Sequence, residues 1–349
     1  MLIGEVWICS GQSNMGRPVN EEDARTAEWP GIRLFNSSGD TPRRDDVDDA
    51  TEWTVCSPKS ILTAGDALSP DKSKGRRGFS EVAFHFGRKI HQTLKVPVGL
   101  IQVNCGGSTA ADWTPMPEIG AKRTVDERLP KVTHMPGMLY WIRLRGLVPF
   151  AIRGVVWYQG EDDGRNAKYD EDFARMILAW RAQWGREDLP FYFAQIAQTG
   201  YAGGMLRVWE SQVRVMRTVP HTGLAVSNDI YDGTTNGDFR ERLDPELGWP
   251  LVGGGNPHPT GKPRVAARLA DIALVKTYGQ PDRTVFGPMY ESHEVKDGRV
   301  RVKFSFTGSG LSTRDGKEPD WFEVSDGTQD RNRLKYVKAG AFPKNGHLL

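Results

Sequence analysis

The chain has 349 residues, of which 26% are charged and 38% hydrophobic, with a net charge of +2. That is enough chain for one large domain, or one domain and a smaller module, in a soluble globular protein. The near-balanced charge argues against nucleic acid or an anionic membrane as partner, and no apolar run approaches the roughly 20 residues of a membrane span.

The N-terminus has no charged start followed by an apolar stretch, so no signal peptide is legible. Cys9, Cys56 and Cys105 are too few for a disulfide framework and are expected as free thiols, with Cys9 and Cys105 close enough in the chain pattern to be neighbours.

The elements follow in order. Gly4 to Ser10 is an apolar run that reads as a first strand and breaks at Gly11. Gly31–Asn36 reads as a second strand. Residues 40–78, rich in Asp, Arg, Ser, Pro and Gly, read as a long surface insertion in which only Thr51–Cys56 suggests order. Phe79–Thr93 carries Val82, Ala83, Phe86 and Ile90 at helical spacing. Val96–Val103 is a buried strand ending at Asn104-Cys105-Gly106-Gly107-Ser108, and Phe150–Tyr158 is another, ending at Gln159-Gly160-Glu161.

Helix, strand, helix and strand are then predicted at Tyr169–Trp184, Phe191–Ile196, Met205–Val219 and Gly223–Ser227. In the first of these, Phe173, Ile177, Trp180 and Trp184 form an aromatic core stripe. After a polar, glycine-rich loop from Asp229 to Gly255, a last helix opens near Thr260 with Val265, Ala266, Leu269, Ile272 and Val275 on one face. Such alternation predicts an α/β fold, a three-layer α/β/α sandwich on a parallel sheet, over residues 1–280. From residue 287 to 349 the texture changes: Val300–Phe306 alternates with period two and Trp321–Val324 repeats a short strand. A small β module is expected there.

A strand that stops at Gly11 presents the next side chains at the carboxyl edge of a sheet, where open α/β folds place their sites. Ser13 is so presented, either as a helix N-cap or as a nucleophile. The Gly-x-Ser-x-Gly elbow is excluded, because Met15 takes the place of the second glycine and a single strand precedes Ser13. A serine nucleophile needs a base, and His258 stands just before the final helix, whose N-terminus keeps an imidazole neutral. Metal chemistry is not expected, since the histidines lack His-x-His or His-Glu-x-x-His spacing, and no cofactor is expected. Glu161, Asp162 and Asp163 lie on one loop and cannot straddle a glycosidic bond.

Gly11-Gln12-Ser13-Asn14-Met15 resembles the first block of the SGNH hydrolases, in the carbohydrate-esterase branch of sialate O-acetylesterases and acetylxylan esterases. Gly106-Gly107-Ser108 with Asp112-Trp113 resembles the second block, and Trp157-Tyr158-Gln159-Gly160-Glu161 the third. The His258-Pro259 pair, with Lys262 and Arg268-Leu269-Ala270, resembles the last. The resemblance covers about residues 4–275 and implies the SGNH form of the sandwich. It also implies a Ser13–His258 acyl-enzyme mechanism with an oxyanion hole from Ser13 N–H, Gly106 N–H and the Gln159 amide, acting on an acetylated carbohydrate. If the chain is a fragment of a longer protein, the same resemblance points to a secreted or periplasmic location.

Two departures stand out. The aspartate usual three residues before the histidine is replaced by Gly255, so a third member must be Asp229, Glu161 or a backbone carbonyl, or the enzyme is impaired. Gly16-Arg17-Pro18 also differs from the Glu-Trp-Pro of the branch, which bears on specificity. The alternative function is a carbohydrate-binding protein that keeps the cleft and has lost turnover.

Overall fold

The computed structural model describes residues 2–37, 52–64, 78–116, 134–148, 150–197, 204–227, 230, 258, 260–281, 283, 285–313 and 316–318, and short strands between 322 and 348. It divides into two compact units, Met1–Val285 and Phe286–Leu349.

The first unit is built on a seven-stranded sheet of β1 (Glu5–Gly11), β2 (Trp29–Asn36), β3 (Thr54–Cys56), β4 (Val98–Asn104), β5 (Gly154–Tyr158), β6 (Phe191–Ala194) and β7 (Thr222–Ala225). Their order is β3-β2-β4-β1-β5-β6-β7, all parallel except the edge strand β3, which runs antiparallel to β2. The helices are α1 (Glu21–Arg25), α2 (Pro58–Thr63), α3 (Glu81–Leu94), α4 (Tyr169–Trp184), α5 (Met205–Thr218) and α6 (Lys262–Lys276).

Period two in β1 sends Trp7 to one face and Ile8 to the other. Trp7 meets Phe86 of α3 edge-on with ring centroids 5.1 Å apart, and Ile272 of α6 abuts Gly223 on β7. Ile8 joins the cluster that α4 and α5 close with Phe173, Ile177, Trp180, Val208 and Val215. The expected aromatic stripe is thus core, with Trp157 of β5 packed 5.7 Å from Trp180 and 6.0 Å from Trp113. Trp184 sits at its edge, donating to the Phe150 carbonyl at 3.0 Å. Helices on both faces of a parallel sheet make the expected three-layer sandwich.

Some expectations shift. The strand placed at Phe150–Tyr158 begins at Gly154, because Phe150 is outside the sheet and Arg153 turns to the surface to pair with Glu5. Within the predicted insertion, β3 is followed by α2, which a reciprocal Ser57–Ser60 capping box starts with Pro58 in its first turn. Cys9 and Cys56 are buried free thiols, as expected.

The second unit contains an antiparallel hairpin, β8 (Met289–Lys296) and β9 (Arg299–Ser305), turning at Asp297-Gly298 with φ of 52° and 70°. His347–Leu348 pairs with the other edge of β9.

Candidate active site

The register of β1 fixes the site. Gly11 pairs with Asn104 of β4 on one side and with Tyr158 of β5 on the other, so three strands end level. β1 lies where the chain's outward progression reverses, from β2 and β4 on one flank to β5, β6 and β7 on the other. Such a switch point opens a crevice beyond the carboxyl ends of the strands. Ser13, Gly106 and Gln159 all follow these ends, as the sequence predicts.

His258 reaches the same crevice from the start of α6. Its Nε2 lies 2.7 Å from Ser13 Oγ, so residues 245 apart in sequence share a hydrogen bond. With the ring proton on Nδ1, the Ser13 hydroxyl donates to Nε2. Gly106 is packed beside Ser13, where a methyl group on its Cα would stand 3.6 Å from Ser13 Cβ. The turn that carries it is braced from below: Ser108 Oγ donates to the Cys105 carbonyl at 2.8 Å, and Trp113 Nε1 donates to Ser108 Oγ at 2.9 Å. Asp112, the other half of that pair, accepts from the Thr109 and His134 backbone N–H groups at 2.8 and 3.0 Å.

Gln159 differs from expectation. Its amide nitrogen donates to the Ser108 carbonyl at 2.9 Å and to Asp163 Oδ2 at 2.6 Å, and the residue is fully buried. Both amide N–H groups are therefore engaged below the cleft, on the side of Tyr169, instead of facing a reacting carbonyl. Asp163 also accepts from the Ala110 N–H at 2.9 Å, and burial pushes its carboxyl up to about 6. The pair ties the end of β5 to the Gly106 turn.

Glu161 does not hold the imidazole. Its Oε1 accepts from Asn14 Nδ2 at 2.5 Å, and its buried Oε2 accepts no hydrogen bond among the described residues. Asp229, the other proposed third member, lies outside the described residues, as do Gly255 and most of the loop before it. Burial raises the Glu161 carboxyl to about 7, an effect that Asn14 and the nearby Lys262 charge offset in part and that Asp162 reinforces. A carboxyl raised in the folded state binds its proton more tightly than in the unfolded chain. Its contribution to stability is therefore full below about pH 4.5 and falls as pH rises through about 7. Glu161→Gln, which imitates the protonated acid, is expected to gain stability relative to the unsubstituted protein between about pH 5 and pH 8, by on the order of 2 kcal/mol. Paired urea melts at the two pH values check this; an unchanged difference would contradict it.

Asn14 and Lys262 are buried members of the site that the sequence reading names within its first and last blocks without assigning either a role. Lys262 Nζ donates to Asn14 Oδ1 at 2.6 Å and lies 5.0 Å from the centroid of the Tyr158 ring. A signal exists in the sequence: Lys262 stands three residues before Val265 and seven before Leu269, on the apolar stripe of α6, where a lysine is out of place unless paired.

Asp23, Glu81 and His85 come within 4.8 Å of one another, a spacing a metal ion could use. Their hydrogen bonding points elsewhere. Arg88 Nη2, which can only donate, lies 2.8 Å from His85 Nδ1, so the neutral ring carries its proton on Nε2, 3.2 Å from Asp23 Oδ2. That arrangement is a histidine facing carboxylates, not a ring offering a lone pair.

A sequence profile described as a carbohydrate esterase, sialic acid-specific acetylesterase, matches residues 3–243. Sialate O-acetylesterase of Mus musculus is 27% identical over 357 residues, covering 84% of this chain and 60% of that protein. The Homo sapiens sialate O-acetylesterase is 26% identical over 335 residues, covering 84% and 57%. The chain thus spans less than two thirds of the length of these curated relatives. A crystal structure of a carbohydrate acetylesterase from Xanthomonas citri aligns with a TM-score of 0.75 at 24% identity, covering 99% of this chain and 72% of that one, and shows the same fold. With the profile extending over more than half of its length, the chain belongs to the sialic acid-specific acetylesterase family of carbohydrate esterases.

Proposed function

We propose that this chain is a carboxylic ester hydrolase that removes O-acetyl groups from a carbohydrate, sialic acid or an acetylated polysaccharide, through an acyl-enzyme on Ser13. The observation that carries this reading is the 2.7 Å contact between His258 Nε2 and Ser13 Oγ at the switch point of the sheet. The names of the curated relatives support an O-acetylated sugar as the substrate class.

On this reading His258 takes the Ser13 proton as Oγ attacks the acetyl carbonyl. The oxyanion that forms is met by the N–H groups of Ser13 and Gly106. Collapse breaks the bond to the sugar oxygen, which receives the proton from His258, and leaves acetyl-Ser13. Water then attacks the acyl carbonyl with His258 again as base, and the bond to Oγ breaks as His258 returns that proton to Ser13, releasing acetate. Gln159 acts as a positioning residue that holds the Gly106 turn through Ser108, in place of the direct donor expected from sequence. Asp229 is the carboxylate assigned to orient Nδ1. In support of this, neighbouring Ile230 reaches within 2.7 Å of where a methyl on Gly261 would stand, three residues after His258.

The test is acetate release by the full chain from O-acetylated sialic acid, acetylated xylan and a chromogenic acetyl ester. Turnover of at least one is expected, and Ser13→Ala should remove it. Binding of an acetylated sugar with no release from any of the three would overturn the reading in favour of a binding protein.

A further inference from the structure

Lys262 is a charged residue in an unfavourable place. Only 1% of its surface is exposed, and it opens α6, where the helix dipole disfavours a cation. Burying an ammonium group costs several kcal/mol on the order-of-magnitude scale unless it is paired and hydrogen-bonded. The structure offsets that cost with the Asn14 carbonyl oxygen at 2.6 Å and the face of Tyr158 at 5.0 Å. The Glu161 carboxyl accepts a hydrogen bond from the other end of the same amide. For stability alone an apolar side chain of similar length serves as well or better. The geometry suggests what the charge is for.

Asn14 is covalently next to Ser13, and Lys262 follows His258 by four residues. The amide of Asn14 is gripped at both ends, by Lys262 on its oxygen and by Glu161 on its nitrogen. A closed circuit results: Ser13 to His258 through the catalytic hydrogen bond, His258 to Lys262 along the chain, Lys262 to Asn14 through a second hydrogen bond, and Asn14 back to Ser13 through a peptide bond. Lengthening either hydrogen bond strains the other.

We propose that Lys262 is a positioning residue of the esterase reaction, acting through Asn14 as a strut that holds the turn bearing Ser13 at a fixed distance from the segment bearing His258. The proposal rests on the esterase reading above. Lys262 touches neither Ser13 nor the imidazole in any contact described, and it works on the reaction through distance. Misplacing reacting groups by about 1 Å can cost on the order of 100-fold in rate.

The experiment compares kcat, KM and Tm of the full chain with those of Lys262→Met, Asn14→Ala and the double variant, on a chromogenic acetyl ester. Each single substitution is expected to lower kcat by about 10- to 100-fold while KM moves by less than about threefold, because ground-state binding of the ester is untouched. The double variant should be no worse than the poorer single one, since both break one link. A crystal structure of either folded variant should show Ser13 Oγ and His258 Nε2 beyond hydrogen-bonding distance.

Full kcat in a folded Lys262→Met protein, or losses that multiply in the double variant, would overturn the strut. A lower Tm with unchanged kcat would assign Lys262 a purely structural role and overturn it as well. Should Lys262→Met fail to fold, Asn14→Ala carries the same comparison without altering the buried charge. Absence of turnover in the unsubstituted protein would sink the esterase reading by itself. The strut would then stand or fall on the variant structure, where an unchanged 2.7 Å contact refutes it.

Discussion

Ser13→Ala and His258→Ala are each expected to lower kcat for an acetyl ester by about 10,000-fold or more, and the double variant to be no slower than either. On the proposed mechanism the two groups perform one act. Without the base, Oγ stays a hydroxyl at neutral pH and is a poor nucleophile. Without Oγ, the imidazole has nothing to deprotonate within its 2.7 Å reach. What remains is whatever polarisation the Ser13 and Gly106 N–H groups give to a bound ester attacked directly by water. Ser13 is half-exposed and loses a single oxygen in the substitution, so Tm should move little. Steady-state rates on purified variants, beside their melting curves, check this. A Ser13→Ala protein that keeps more than about a tenth of the rate would place the nucleophile elsewhere.

The positions of Ser13 and His258 were legible in the sequence because both depend on chain direction. An apolar run broken by Gly11 has to deliver its next residues to a strand end, and a histidine before a helix has to sit at that helix's N-terminus. The orientation of Gln159 was less obvious, although period two alone indicates it. Val155 and Trp157 on β5 share parity with Gln159 just beyond its end, and both face the α4 core. Gln159 therefore points toward Tyr169, beneath the cleft, where its amide meets Ser108 and Asp163. The strut was hidden for a different reason. Asn14 and Lys262 are 248 residues apart, and the packing of α6 against α3, β6 and β7 brings them together.

In the second unit, Met289–Lys296 carries too few apolar side chains to announce a strand, and nearly all of it is exposed. The Asp297-Gly298 pair was the readable signal, because a two-residue type I′ hairpin turn needs positive φ at both positions. α1 is short and depends on its cap: Asn20 accepts from the Asp23 N–H at 2.8 Å, and the first turn carries Glu21, Glu22 and Asp23, a pattern that favours the N-terminal end of a helix dipole.

Gly11→Ala is expected to destabilise the protein by at least about 3 kcal/mol, or to prevent folding, and Gly185→Ala by only about 1–2 kcal/mol. Both glycines have positive φ, 133° and 62°, so both substitutions strain the backbone. The difference is in the surroundings. Gly185 ends α4 in the left-handed conformation with nothing within 4 Å of the new methyl group. At Gly11 the methyl would stand 2.2 Å from the Tyr158 carbonyl oxygen and 2.7 Å from its carbon, atoms of a neighbouring strand that cannot swing aside like a side chain. Moving them breaks the bond from the Gln12 N–H to that same carbonyl, 3.0 Å, and pulls on the bond from the Cys105 N–H to the Gly11 carbonyl, also 3.0 Å. These two bonds tie the Ser13 turn to the end of β5 and the Gly106 turn to the end of β1. Any Gly11→Ala protein that does fold should accordingly lose turnover beyond its loss of stability, whereas Gly185→Ala should keep kcat. Chemical denaturation and steady-state kinetics on the two variants separate these outcomes, and equal destabilisation would show that the close approach of β5 at Gly11 has no part in holding the site.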